Sequence, residues 1–150
     1  MAGTFTQIYI HAICSTKNRQ NVLLPEVRKQ VYNYICGIIK NEEGYVYSIG
    51  GTSNHIHILF STSSKVSISE MLKEIKGSSS RWINQNLSLQ NKFQWQAGFG
   101  AFSVSQSQLG AVTQYINNQE EHHKKFSFKD EFRALLNKHN LSFDEKYIWD

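Results

Sequence analysis

Acidic residues are missing from two long stretches of this 150-residue chain. Residues 44–69 hold no Asp or Glu, and residues 75–119 hold none either, their only charges being Lys76, Arg81 and Lys92. The chain as a whole has a net charge of +4 and a pI of about 9.1. An acid-free middle suits a phosphate-rich partner, and equally an ordinary polar surface. Cysteine is scarce: Cys14 and Cys36 have neither metal nor redox spacing, and each falls in an apolar stretch. Both are read as reduced core residues of a cytosolic protein. No apolar run approaches a membrane span and the first residues lack a secretory h-region, so a cytoplasmic protein with no membrane association is expected. Repeats, low-complexity tracts and dividing linkers are absent too. With 40% hydrophobic and 19% charged residues, the expectation is one globular domain over residues 1–150.

What is present alternates between strand and helix patterns. Residues 4–13 alternate, with Ile8, Ile10 and Ala12 on one face and Gln7, Tyr9 and His11 on the other, which predicts a strand. A polar loop with Lys17 and Arg19 follows. Pro25, the one proline, suits the first position of a helix in which Val27, Val31, Ile35 and Ile38 recur at helical spacing. Residues 45–49 predict a second strand, and Gly50-Gly51 turns it into a third as a hairpin. Ser67-Ile68-Ser69-Glu70 matches a capping box. It opens a helix with Ile68, Leu72, Ile75 and Trp82 on one stripe, weakened at Gly77 and the serines after it. Residues 84–98 read as a polar loop anchored by Phe93 and Trp95, and 99–104 as a fourth strand. Ser105 to Gln108 reads as a second capping box, opening a helix to about His123. Ser127 caps a last helix burying Phe132, Leu135 and Leu136, and the aromatic tail should dock. The order β-α-β-β-α-β with additional C-terminal helices predicts an α+β fold, a ferredoxin-like or RRM-like antiparallel sheet with helices covering one face.

The third strand carries His55-Ile56-His57. Residues two apart on a strand point the same way, so both imidazoles stand on one face while Ile56, Ile58 and Phe60 enter the core. A pair held so rigidly could present two nitrogens to one metal ion, or the rings could simply hydrogen-bond. On the Ser105 helix, Tyr115 and Gln119 are four residues apart and share a face bordering the stripe of Leu109, Val112 and Ile116. That position suits a cleft wall as well as plain packing. His11 has no partner motif. His122-His123, near Lys124 and Lys125, reads as a solvated helix terminus complementing the dipole.

In order and spacing, Asn54-His55-Ile56-His57-Ile58-Leu59 followed by Tyr115-Ile116-Asn117-Asn118-Gln119 resembles the single-tyrosine HUH (His-hydrophobic-His) transposases of small insertion sequences that move as single-stranded DNA. Ser15-Thr16-Lys17-Asn18-Arg19, Lys76-Gly77-Ser78-Ser79-Ser80-Arg81 and Trp95-Gln96-Ala97-Gly98-Phe99 add to the likeness, which spans nearly the whole chain.

The resemblance implies that His55 and His57, with Gln119 as third ligand, hold a divalent metal that polarises a scissile phosphate. Tyr115 would attack it, leaving a 5′-phosphotyrosine and a 3′-hydroxyl and keeping the bond energy for rejoining during excision and insertion. Imidazoles alone favour zinc, whereas the family implies magnesium or manganese. The implied partner is single-stranded DNA, as hairpin ends of the element, with a homodimer whose subunits share active sites. Lys17, Arg19, Lys76 and Arg81 would contact phosphates, with Trp82, Trp95 and Phe99 available for stacking. Asn54 departs from the family's usual Asp and keeps the hydrogen-bonding shape without the charge. The competing reading is a non-catalytic, RRM-like module binding single-stranded nucleic acid, which needs exposed aromatics on the central strands. A small zinc hydrolase lacks a third ligand at convincing spacing.

Overall fold

A computed structural model describes residues 2–149. The chain runs β1 (Ile8–Ser15), α1 (Pro25–Asn41), β2 (Tyr45–Gly51), β3 (His55–Thr62), α2 (Ile68–Asn86), β4 (Gly100–Val104), α3 (Leu109–Asn117), α4 (Gln119–His122) and α5 (Phe128–Lys138). The strands form one sheet in the order β2-β3-β1-β4, every neighbour antiparallel. That is the expected α+β, ferredoxin-like arrangement.

Alternation along the central strands decides which side chains meet. Ile10, Ala12 and Cys14 of β1 join Ile56, Ile58 and Phe60 of β3 on one face. There they pack against Val31, Ile35 and Ile39 of α1 and Met71, Leu72, Ile75 and Ile83 of α2. Pro25 opens α1, and Ser67 and Glu70 form the expected capping box of α2. Gly77 and its serines do not interrupt α2, which runs on to Asn86. Ser79 is buried and accepts a hydrogen bond from Trp95 Nε1 (2.9 Å). Cys14 is buried and Cys36 half-buried, and both are free thiols.

Four sequence expectations need correction. The first strand begins at Ile8, not residue 4, because β1 has no partner beyond Thr62 of β3 and Val104 of β4. Helices cover both faces rather than one. Ile13 and Phe102 pack under Phe128 and Leu136 of α5, and buried Ile116 brings α3 onto β2. Ser105 does not cap a helix. Its hydroxyl pairs with that of Ser107 (3.0 Å), and residues 106–108 form a 3-10 turn before α3. The helix expected to reach His123 is broken at Asn118, beside the point where Asn117 Oδ1 accepts from the Ser48 hydroxyl of β2 (2.8 Å). Ser127 caps α5 as expected, accepting from the Asp130 N–H (3.1 Å). Phe128 and Leu136 are buried there, Phe132 and Leu135, expected to be buried, are half-buried, and the acid Glu131 is buried on the same helix. Among the described residues no helix is long and apolar enough to cross a membrane.

Gly50 is where α3 touches the sheet. A Cβ there would lie 2.6 Å from the Ile116 carbonyl oxygen, so only glycine lets the helix backbone settle onto β2. That close approach sets the height of Tyr115 and Gln119 above the sheet.

Candidate active site

His55 and His57 project from β3 on the face opposite the α1/α2 core, both at 0% exposure. His11 of β1, Tyr115 of α3, Gln119 of α4, His122 and His123 after it, and Glu131 of α5 close around them. The carboxylate of Glu131 is the common partner. Its Oε1 lies 3.0 Å from His57 Nε2, 3.1 Å from His123 Nε2 and 3.4 Å from His55 Nε2. Its Oε2 accepts from Gln119 Nε2 (2.9 Å) and from the Tyr115 hydroxyl, with His122 Nε2 3.2 Å away.

Electrostatics follow from burial and from that carboxylate. Burial alone would raise the Glu131 carboxyl, but its contacts with His123, His55 and His57 outweigh burial and hold it well below the usual carboxylate range. Burial pulls His57 down to about 4 despite Glu131, and burial followed by the neighbouring His57 pulls His11 down to about 3. Both imidazoles are therefore neutral near pH 7. Burial, then the bond to Glu131 and its charge, push the Tyr115 phenol above its ordinary value.

The hydrogen-bond network assigns the tautomer of His55. Asn54 Oδ1, which also accepts from the Thr52 hydroxyl, stands 2.8 Å from His55 Nδ1. An amide oxygen only accepts, so the His55 proton sits on Nδ1 and its lone pair on Nε2. That lone pair faces Gln119 Oε1 at 2.9 Å, an oxygen oriented by its own amide nitrogen donating to Glu131. Acceptors facing each other at this distance with no proton between them mark a position suited to a cation. The donor atoms of His55, His57 and Glu131 all lie within 4.8 Å of one another. Ligands on a sphere of about 2.1 Å stand roughly 3.0–3.4 Å apart, which matches the separations of Glu131 Oε1 from the two histidines. Two imidazoles, a carboxylate and an amide oxygen thus fit a divalent ion. Asn54 performs, without charge, the orienting bond that an acid would make.

The residues singled out in the sequence divide into two groups. His55, His57, Tyr115 and Gln119 come together within one chain, the Tyr115 and His57 ring centroids 5.7 Å apart. The basic residues lie elsewhere. Lys76 and Arg81 stand on α2, across the sheet from the histidines. Lys76 donates to the carbonyls of Gln96 (2.7 Å) and Gly98 (2.6 Å), pinning the loop before β4. Lys17 is exposed, and Arg19 lies over the Trp149 ring and donates to its carbonyl. Of the aromatics proposed for stacking, Trp82 packs on Tyr34 with centroids 4.9 Å apart and Trp95 is buried, so both belong to the core. Phe99 is 40% exposed. The residues that sequence reasoning missed are Glu131, His11 and the His122-His123 pair, which also meets Glu131. Glu131 had a signal: it sits three residues from Phe128 and four from Leu135, an acid on the apolar stripe of α5.

Fold and site together define an α+β protein with a histidine–carboxylate–tyrosine centre on a ferredoxin-like sheet. The family model described as "Transposase IS200 like" matches residues 4–119, and the chain belongs to this family of DNA transposases. Among solved structures it is similar to a candidate transposase from Deinococcus radiodurans R1, at 22% identity and TM-score 0.64, covering 79% of this chain and 95% of that one. It is also similar to a REP-associated tyrosine transposase bound to a REP hairpin, at 14% identity and TM-score 0.62, covering 82% of this chain and 73% of that one. No protein of curated function matches. The family match takes in both histidines, Tyr115 and Gln119, while α5 and Glu131 lie beyond it.

Proposed function

We propose that this transposase cleaves and rejoins single-stranded DNA through a phosphotyrosine at Tyr115. One observation carries the reading: the Tyr115 hydroxyl, Gln119, His55 and His57 converge on a single buried carboxylate. His55 Nε2, His57 Nε2, Gln119 Oε1 and Glu131 Oε1 would hold a divalent ion, which when bound supplies Lewis-acid polarisation of the phosphate. Its oxygen donors favour magnesium or manganese over the zinc that imidazoles alone would select.

Tyr115 is aimed by its bond to Glu131 Oε2. Its oxygen attacks phosphorus while its proton passes to Glu131 Oε2, the bond to the DNA 3′ oxygen breaks with that oxygen taking up a proton, and the 5′ side of the strand stays on the tyrosine. The reverse attack by a 3′-hydroxyl rejoins strands without ATP. The hairpin held by the structural neighbour supports hairpin ends of the element as the DNA partner. Lys17, Arg19 and Arg81 are the phosphate contacts, with Phe99 the one stacking residue. Lys76 acts through the loop it pins. A homodimer would bring two element ends together, each active site being complete within its own chain. A non-catalytic RRM-like module is not favoured, because Tyr9, His11 and Leu59 on the would-be platform are buried.

The test is incubation with single-stranded DNA carrying an element end, with manganese. The wild type is expected to form a covalent adduct, and Tyr115→Phe to form none while still binding DNA. An adduct that persists in Tyr115→Phe overturns the role of Tyr115, and undiminished cleavage in EDTA overturns that of the metal.

A further inference from the structure

We propose that His11 is a positioning residue for His57, accepting the Nδ1 proton that His57 must carry when its Nε2 ligates a metal ion. The inference rests on the reading of His55 and His57 as metal ligands. An imidazole that coordinates through Nε2 has its proton on Nδ1, and a buried N–H needs an acceptor. His57 Nδ1 makes its hydrogen bond to His11 Nε2, at 2.8 Å.

His11 is built for that task. It is 4% exposed, and an imidazole ring nitrogen can either donate or accept, so its Nε2 can take a proton's hydrogen bond as a lysine or arginine could not. Cross-strand register pairs Ile13 with His57 and His11 with Leu59, which makes the two rings diagonal neighbours with centroids 5.0 Å apart. Phe102 and Tyr115 stand edge-on to His11, each with centroids 6.2 Å away, and stop the ring from swinging. With Nε2 committed to His57, its Nδ1 edge remains for the cavity of about 870 Å³ that His11 lines between β4, α3 and α5.

The parallel with His55 is the independent support. Asn54 Oδ1 takes the His55 Nδ1 proton just as His11 Nε2 would take that of His57. Each member of the pair thus has its own partner on Nδ1, and both Nε2 atoms are turned toward Glu131. Without metal, His57 donates from Nε2 to Glu131 and His11 donates to His57 Nδ1. On ligation the His57 Nε2 proton leaves, the His11 Nε2 proton passes to His57 Nδ1, and water supplies a proton to His11 Nδ1. The pair holds two protons before and after.

Two measurements on the full chain test this. Free-manganese EPR titration should show His11→Phe binding Mn²⁺ about 10–100-fold more weakly than wild type. His11→Gln, whose amide oxygen can accept, should recover part of that loss. Nitrogen-15 NMR of histidine-labelled wild type, titrated with zinc as a diamagnetic probe, should show His57 passing from the Nε2–H to the Nδ1–H tautomer together with His11. The NMR arm needs no variant to fold. Manganese binding that is lost in His57→Ala but unchanged in His11→Phe, or a His11 tautomer indifferent to zinc, overturns the positioning role alone. Wild type that binds neither ion overturns the metal reading as well.

Discussion

At the residue scale the site is organised by one acid among four histidines. Glu131 is contributed by α5, yet its carboxylate touches His55, His57, His122 and His123 as well as Tyr115 and Gln119. Removing it leaves buried donors without an acceptor. Glu131→Ala is therefore expected to cost about 3 kcal/mol or more in EDTA, read by urea denaturation. A change under about 1 kcal/mol would show that the histidines do not depend on it. The same groups predict acid lability. His11 and His57 keep folded-state values of about 3 and about 4, below the ordinary 6.5. As pH falls through 6.5 the unfolded chain takes up protons there that the folded chain refuses, so stability drops toward pH 4. His123 opposes this. Burial pushes it down, but the bond to Glu131 outweighs burial and raises it, so its stabilisation is present below pH 6.5 and lost above its folded value. The slope is small near pH 7, where His123 offsets the pair, and below about pH 6 it reaches one proton or more, roughly 1.4 kcal/mol or more per pH unit, with the lowered His122 and His139 acting in the same direction. Below pH 4.5 the depressed Glu131 carboxyl adds to the loss. Metal-free unfolding midpoints at pH 7, 6 and 5 should fall in that order, and a flat series would contradict the assignment of neutral buried histidines.

Elements set how those residues meet. The tyrosine and the glutamine sit on either side of the break at Asn118, on α3 and α4, and still donate to the same oxygen of Glu131. The break lies beside the Asn117–Ser48 bond to β2, and α3 is seated by the missing side chain at Gly50. Gly50→Ala is expected to lift α3 from β2, since the clash is with backbone. A loss of about 1–3 kcal/mol follows from such overpacking, with adduct formation falling further than stability does. Gly77→Ala makes the contrast. Gly77 lies inside α2 with nothing within 4 Å of the added methyl, so this change should stabilise by about 1 kcal/mol. Thermal melts of the two variants should move in opposite directions. A shared direction would mean that Gly50 is not the seat of α3.

On the scale of the whole molecule, the sheet separates two jobs. One face carries the hydrophobic core under α1 and α2, and the other carries the polar centre under α3, α4 and α5. Because Tyr115 and His57 of one chain are already in contact range, mixing Tyr115→Phe with His57→Ala protein should not restore adduct formation. Recovery of activity in the mixture would show instead that subunits exchange their tyrosine helices.

The sequence by itself determined the sheet and half of the site. Period-two alternation is local, so β1 and β3, the burial of Ile56 and Ile58, and the shared face of His55 and His57 could all be read from it, as could the caps at Ser67 and Ser127. Tyr115 and Gln119 were visible through helical spacing and family likeness. Only the tertiary structure decided what those four residues meet. His11 gains a partner through antiparallel register with β3, and His122-His123 become half-buried and meet Glu131 because α5 folds back beside them. Glu131 becomes the centre because the distant strand β3 and the α3–α4 segment just before α5 bury one carboxylate together. A residue's face is set by its near neighbours, whereas its partner across the fold is set by packing that no local pattern contains.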